Sequence, residues 1–512
     1  MNRRNSLRIL ALALMLALML PGLPAASAEA ELPPIDLSEE VHLVGYIPGD
    51  PSRENDEMMK VLNAKLKEDI NTTIEFKFLN WGEFFEKYPL ILASGEVFDF
   101  AYIASWADFH AHAARGAFAD ITEMVKAYAP DVYRIADQAV WSATSYHGKV
   151  YGIPHDGLDI STAYGFVYRE DLRKKYGVQE LVTLEDLGDY IRAIKKNNPE
   201  MATAARDATN NNLMLRYGLR NLTSWAFDYY GLVYDREDPD ARLYSKYETP
   251  EYRDGIQLMA DWKNEGFWDT SVMVGQDFVN EVDQHPFSQG LSAFFGGQTG
   301  DYSNTIDFIK DFGLDWEAGF HWVKYPSGHI DKGDVLNDGV SISATSKHPE
   351  RTLMAMNLIL TQPEYKWLIG FGIPEKHYVI GEDGFPTLPP GITPDNAPYN
   401  YFMHAFSWFL YDRDSTFPQR QEKDAADLLE EEMNALANAP TLYGFYLDTA
   451  DLATELAALN DIWIEYEMPL TWGFINESVE ADIANLIAKQ KAAGIDKVRE
   501  EAQKQIDAFL GK

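Results

Sequence analysis

The chain of 512 residues contains no cysteine. Disulfides, thiolate-metal sites and a lipid carried on an N-terminal cysteine are excluded, so stability has to come from size and packing. Basic residues are scarce as well: 44 Lys and Arg stand against 80 Asp and Glu, a formal net charge of -36. Nucleic acid is not expected as a partner, because phosphate binding needs clustered cations, and an anionic membrane surface is disfavoured for the same reason. Long apolar runs are missing apart from Ile9 to Leu20. There is no H-E-x-x-H metal pair, no G-x-S-x-G elbow, no Gly-rich phosphate loop, no internal repeat and no low-complexity linker. No metal and no cofactor is expected.

What is present begins with Arg3, Arg4 and Arg8 ahead of the apolar run, then Pro21 and Gly22, then small residues. This is the pattern of a secretory signal peptide over residues 1–28, with cleavage after Ala28 and Ala30 as second choice. The run is short for a membrane span. An exported protein is therefore expected, extracellular, at the cell surface or periplasmic. The remaining ~480 residues are enough for two or three domains.

From Val41 to Ile47, VHLVGYI reads as a buried strand. A helix follows, with Asp50 and Ser52 as cap candidates and Met58, Leu62 and Leu66 on one face. TTIEFKFLN alternates at period two, as a strand does. The segment Gly82–Ala93 carries Phe84, Tyr88, Ile91 and Leu92 on one side, and Pro89 is expected to kink or divide it. Ala93-Ser94-Gly95 ends that helix, and VFDFAYI is the next strand. Such a β-α-β-α-β order predicts a parallel sheet, with Asp50, Trp81 and Trp106 at its carboxyl edge, where open α/β sheets bind ligands.

A Gly- and Pro-rich stretch, HGKVYGIPHDG, suits a crossing into a second α/β module. There Tyr164, Phe166 and Tyr168 alternate, Thr183 and Asp186 form a helix start, Thr249-Pro250 opens another helix, and LSAFFGGQTG reads as a strand running into a loop. In NDGVSISATSKHPERTLMAMNLIL a strand precedes a helix. Beyond Asp424 strand patterns nearly vanish, and the last segment is a charged amphipathic helical run broken at Gly494.

Taken in order, NWGEFFEKYPLILASGEVFDF, GKVYGIP, ISATSKHPERTLMAMNLIL, FGIPEKHY, LYGFYLDTADLATELAALNDIW and AGIDKVREEAQKQIDAFL resemble the family 1 extracellular solute-binding proteins of ABC importers, specifically the LipO-type subgroup with a C-terminal domain of unknown function. The resemblance implies an α/β, two-lobed periplasmic-binding-protein-like clamshell (type II) with a mainly helical C-terminal extension. It implies crossings near Ile153 to Asp156 and Asn337 to Gly339. The first lobe would combine 29–153 with about 340–400, the second would span 154–339, and 401–512 would form the C-terminal domain packed on the lobes. It also implies a carbohydrate ligand in the interlobe cleft, permease subunits of an importer as partners, and a monomer. The chain departs from the subgroup in lacking the lipobox cysteine, and in FGIPEKHY, where Pro374 and Glu375 stand in place of an acidic residue and a glycine.

Sugars are held by aromatic faces and planar polar groups. Trp81, Trp106, Asp156, Gln298, Trp322 and Asp338 are the candidate ligand contacts, because each follows an expected strand or crossing. The resemblance favours Gln298 further, since the family presents a contact residue after a Gly-rich strand end. For each Trp the competing role is core packing. Asp108, His110 and His112 lack metal-binding spacing, and the acidic run Asp235 to Arg242 lacks the EF-hand pattern. The alternative function is a secreted glycoside hydrolase with two carboxylates flanking the scissile bond. No catalytic residue is assigned.

Overall fold

The structure, a computed structural model, describes residues 35–138, 140–156, 164–201, 222–223, 231–267, 287, 290–311, 313–322, 328–381, 384–392, 396–399, 408, 410–411 and 425–512. The expected signal peptide lies outside them. Residues Leu37–Lys512 form one compact unit.

Its first sheet starts with β1 (Val41–Pro48), α1 (Asn55–Ile70), β2 (Thr72–Leu79), α2 (Trp81–Ser94) and β3 (Phe100–Ile103). β1 lies parallel to both β2 and β3. Strand Gly339–Ile342 returns antiparallel beside β3, and Ile153–Pro154 closes the far edge. The period-four stripe of α1 buries Met58, Leu62 and Leu66 completely. That helix starts at Asn55 after Glu54, later than Asp50 and Ser52 would place it, because residues 51–54 first make a turn in which Asn55 N donates to Ser52 O. Asn80 caps α2 by accepting from Glu83 N at 3.0 Å, and Gly95 ends it with φ 75°, which a Cβ would disfavour. Pro89 sits inside α2 without dividing it. Only the ladder bond toward Phe85 is lost, at a turn where Phe85 is exposed.

The second sheet is antiparallel: Tyr164–Arg169 runs between Phe294–Gln298 and Ala318–Trp322. The sequence pointed to an α/β module here, and helices Leu184–Asn197 and Pro250–Asn264 do supply part of its core, with Leu187, Ile191 and Trp262 against Phe166 and Phe294. Thr183 and Asp186 form the capping box, and Thr249 caps the second helix. Gly165 is required in the central strand, since a Cβ there would come within 2.2 Å of His321 O.

Three further features bear on the site. First, Leu410 and Tyr411 belong to the first core, beyond the expected boundary near residue 400; Tyr411 OH donates to Pro154 O at 2.7 Å. Second, the tail is helical, with helices Ala425–Leu436, Ala453–Ile462, Val479–Ala493 and Ile495–Phe509. It closes two cores with the middle of the chain: Leu232, Tyr234 and Leu243 pack with Val498 and Ile506, and Tyr252 and Ile256 pack with Leu470 and Ile483. Third, a two-residue strand, Ala437–Asn438, pairs with Ile330–Asp331, where buried Arg236 binds Asp331 at 2.6 Å and Asn438 O at 2.7 Å.

Candidate functional site

The register of the first sheet brings the sequence candidates to one edge. Leu79 pairs with Pro48, so α2 begins with Trp81 at the carboxyl end of β1 and β2. Ile103 and Pro154 both pair with Gly339, so Trp106, Asp156 and Asp338 emerge from neighbouring strands at that same edge. Gln298 and Trp322 lie on the other sheet, opposite Tyr164 and Gly165, where the chain enters the second lobe. The span from Asp156 to Tyr164 cannot exceed roughly 28 Å when fully extended, so the two groups flank one crossing. The side chains of Trp81 and Gln298 lie outside the described residues.

Trp106 sits on a one-turn helix, Ser105–Ala107, directly after β3. It is 38% exposed. Its indole packs, tilted, against Phe84, Phe85 and Tyr102, with ring centroids at 5.9, 6.1 and 5.7 Å. Its Nε1 donates to Asn337 O at 2.9 Å, which fixes the ring against the second crossing. A ring fixed by its neighbours and still 38% exposed is suited to stacking.

Asp338 is placed differently: it is 5% exposed, and its carboxylate accepts from Tyr102 OH and, at 2.6 Å, from Asn337 Nδ2. Burial, and then the Asp338 charge, push the Tyr102 hydroxyl well above its usual range, so it remains a donor to that carboxylate. Asp338 thus braces the wall that carries Trp106. Asp156 is partly buried beside His155, whose Nδ1 lies 3.0 Å from Asp156 Oδ1. Trp322 is partly buried.

Sequence reasoning missed three residues here. Phe85 is 50% exposed beside Trp106; the signal was its place off the stripe of Phe84, Tyr88, Ile91 and Leu92, which is the face turned to the core. Trp408 meets Tyr102 edge-on at 6.1 Å. Asp334 accepts from Ser105 OH and from Tyr446 OH, the latter at 2.6 Å. The last two are joined across the chain by tertiary contacts that no local pattern signals.

Neither minor candidate gathers a metal site among the described residues. His110 and His112 are both pushed down to about 4, chiefly by burial. In the acidic run, Asp235 and Asp238 accept from the loop's own backbone at Glu237, Asp240 and Arg242.

A sheet in which β1 lies between β2 and β3 and a returning strand runs antiparallel beside β3, joined by crossings to a second sheet, is the architecture of a clamshell binding protein of the type II class. Residues 51–361 match the family described as "Bacterial extracellular solute-binding protein", and residues 441–511 match "Domain of unknown function (DUF3502)". The chain belongs to the bacterial extracellular solute-binding protein family. A "Carbohydrate ABC transporter substrate-binding protein" of Streptococcus pneumoniae serotype 4 is 24% identical over 486 residues, covering 91% of this chain and 90% of that one. Among solved structures, the N-glycan transport solute binding protein NgtS of Streptococcus pneumoniae superposes with a TM-score of 0.72 at 20% identity, over 93% of this chain and all of that one. The alginate-binding protein AlgQ2 gives 0.66 at 17% identity, over 92% and 99%. Among the described residues, no helix is long and apolar enough to cross a membrane.

Proposed function

We propose that the protein captures an uncharged oligosaccharide between its lobes and delivers it to the permease of an ABC importer. The exposed Trp106 face, backed by Phe84 and Tyr102 and flanked by Phe85, carries this reading. Trp81, Asp156, Gln298 and Trp322 are the proposed companions, and Asp338 acts through the wall. The preference for uncharged glycans follows from the acidic field of Asp156 at the site edge with Asp334 and Asp338 behind it, in a chain of net charge -36; an anionic sugar would be repelled there. The relatives named as a carbohydrate substrate-binding protein and an N-glycan transport protein support the same substrate class. They equally favour binding over hydrolysis.

The test is a melting-shift and product assay with Man1GlcNAc, Man5GlcNAc, kestose and, as acidic control, an alginate oligosaccharide. A neutral glycan should raise Tm without being cleaved; released sugar would instead support the hydrolase. Trp106→Ala should weaken the binding of that glycan by about 1–3 kcal/mol and leave the unliganded melting curve nearly unchanged. A stability loss of about 3–5 kcal/mol with unaltered affinity would make Trp106 a core residue and remove it from the site.

A further inference from the structure

The C-terminal domain reaches the site through one short segment. In TLYGFYLD, residues 441–448, Leu442, Phe445 and Leu447 enter the core shared with the middle of the chain, while Tyr443 and Tyr446 pack against the first-lobe core. The same eight residues therefore touch both lobes. On the first-lobe side the packing is not solid: a cavity of about 410 Å³ lies along the segment, lined among others by Ser142, Tyr146, Phe445, Asp448 and Phe509. The attachment there is carried by particular groups. Tyr446 stacks on His110 with centroids 3.9 Å apart, Tyr146 OH donates to Asp448 at 3.0 Å, and Tyr446 OH donates to Asp334 at 2.6 Å.

Asp334 is where these lines meet. One carboxylate oxygen accepts from Tyr446 OH and from Leu336 N at 3.0 Å; the other accepts from Ser105 OH. Ser105 N in turn donates to Leu336 O at 2.8 Å, and Ser105 opens the turn that carries Trp106. Burial, and then the Asp334 charge, raise the Tyr446 hydroxyl well above its usual range, so it stays protonated and a donor.

We infer that the C-terminal domain is a working part of the binding site, with Tyr446 as a positioning residue that holds the Trp106 turn through Asp334. This rests on the reading of Trp106 as a ligand contact. Because the domain shares its cores with the second lobe, a shift of that lobe is transmitted by Tyr446 to the aromatic face on the first. The domain then couples lobe position to the stacking surface.

The experiment is a double-mutant cycle on the full chain, with dissociation constants measured by calorimetry for the panel glycan that gives the largest melting shift. Tyr446→Phe deletes only the hydroxyl, and Ser105→Ala cuts the same hub from the first-lobe side. Each should weaken binding about three- to tenfold. In a Trp106→Ala background, Tyr446→Phe should add less than twofold, since there is no indole left to position. Losses that multiply in the double variant, or a single Tyr446→Phe affinity within twofold of the parent, overturn the inference while leaving the site intact. If Trp106→Ala itself leaves affinity unchanged, the site reading falls, and the inference with it. Should Tyr446→Phe fail to fold, Tyr446→His, which keeps a ring against His110 but removes the hydroxyl that reaches Asp334, is put through the same cycle and decides between the same outcomes.

Discussion

The C-terminal domain grips the two lobes in unlike ways. Against the middle of the chain it shares two apolar cores and a buried ion pair: Lys246, 3% exposed, reaches Glu467, fully buried, at 2.9 Å, and Tyr247 OH donates to the same carboxylate. Against the first lobe, among the described residues, Tyr443 and Tyr446 pack on the core's rim, with a ring stack and two tyrosine hydroxyls beside a cavity. An apolar core resists relative motion because every displaced methylene loses close packing, whereas a few hydrogen bonds can be exchanged for water at small net cost. Among the described residues the domain therefore shares apolar cores with the second lobe, while on the first a few named groups carry the link to the Trp106 turn.

The strongest way to break this comparison is to remove the anchor. Glu467→Ala leaves Lys246 charged and buried without its partner and should cost roughly 3–5 kcal/mol in denaturant unfolding; a change under about 1 kcal/mol would place the two attachments on an equal footing. Acid offers the second test. His110 and His112, on the first lobe, are held near 4 against an ordinary 6.5, so the unfolded chain takes up protons that the folded one refuses. Stability is thus complete above about 6.5 and declines as pH falls toward 4, by up to about 3 kcal/mol for buried His112. Unfolding curves recorded from pH 7 to pH 4 should show this limb, and His112→Gln should flatten it. Smallest is Glu375, whose φ of +63° is a conformation that favours glycine. Glu375→Gly should raise stability by about 0.5 kcal/mol after the extra freedom of glycine in the unfolded chain is deducted. A loss there would mean the side chain supports the 374–378 turn.

Much of the first lobe was legible because its signals are local. Period-two apolar runs, a period-four stripe and Gly95 after a helix each act within a few residues, and they gave β1 through β3 in order. Trp106 at the sheet edge followed from that order alone. Strand polarity in the second lobe was not legible, since whether Phe294–Gln298 lies parallel or antiparallel to Tyr164–Arg169 depends on connections of more than a hundred residues. Asp338 was picked for its place at a crossing, but its carboxylate faces Tyr102, a contact spanning 236 positions. Pro89 signals a kink or a division, and the structure shows the helix undivided across it.

The shared core between the middle and the tail also fixes a timetable. Leu232 and Tyr234 meet Val498 and Ile506, and Leu243 N donates to Gln503 Oε1 at 2.9 Å. A ribosome releases the chain from its N-terminus, so residues near 232 stay without most of their apolar neighbours until the tail has been made. The first lobe waits in a similar way for Leu410 and Tyr411, though for fewer residues. Closure of contacts this distant in sequence is slow, and apolar surface left open in the interval is prone to aggregate. The core around Leu232 and Tyr234 is thus completed only when the helix Ile495–Phe509 docks.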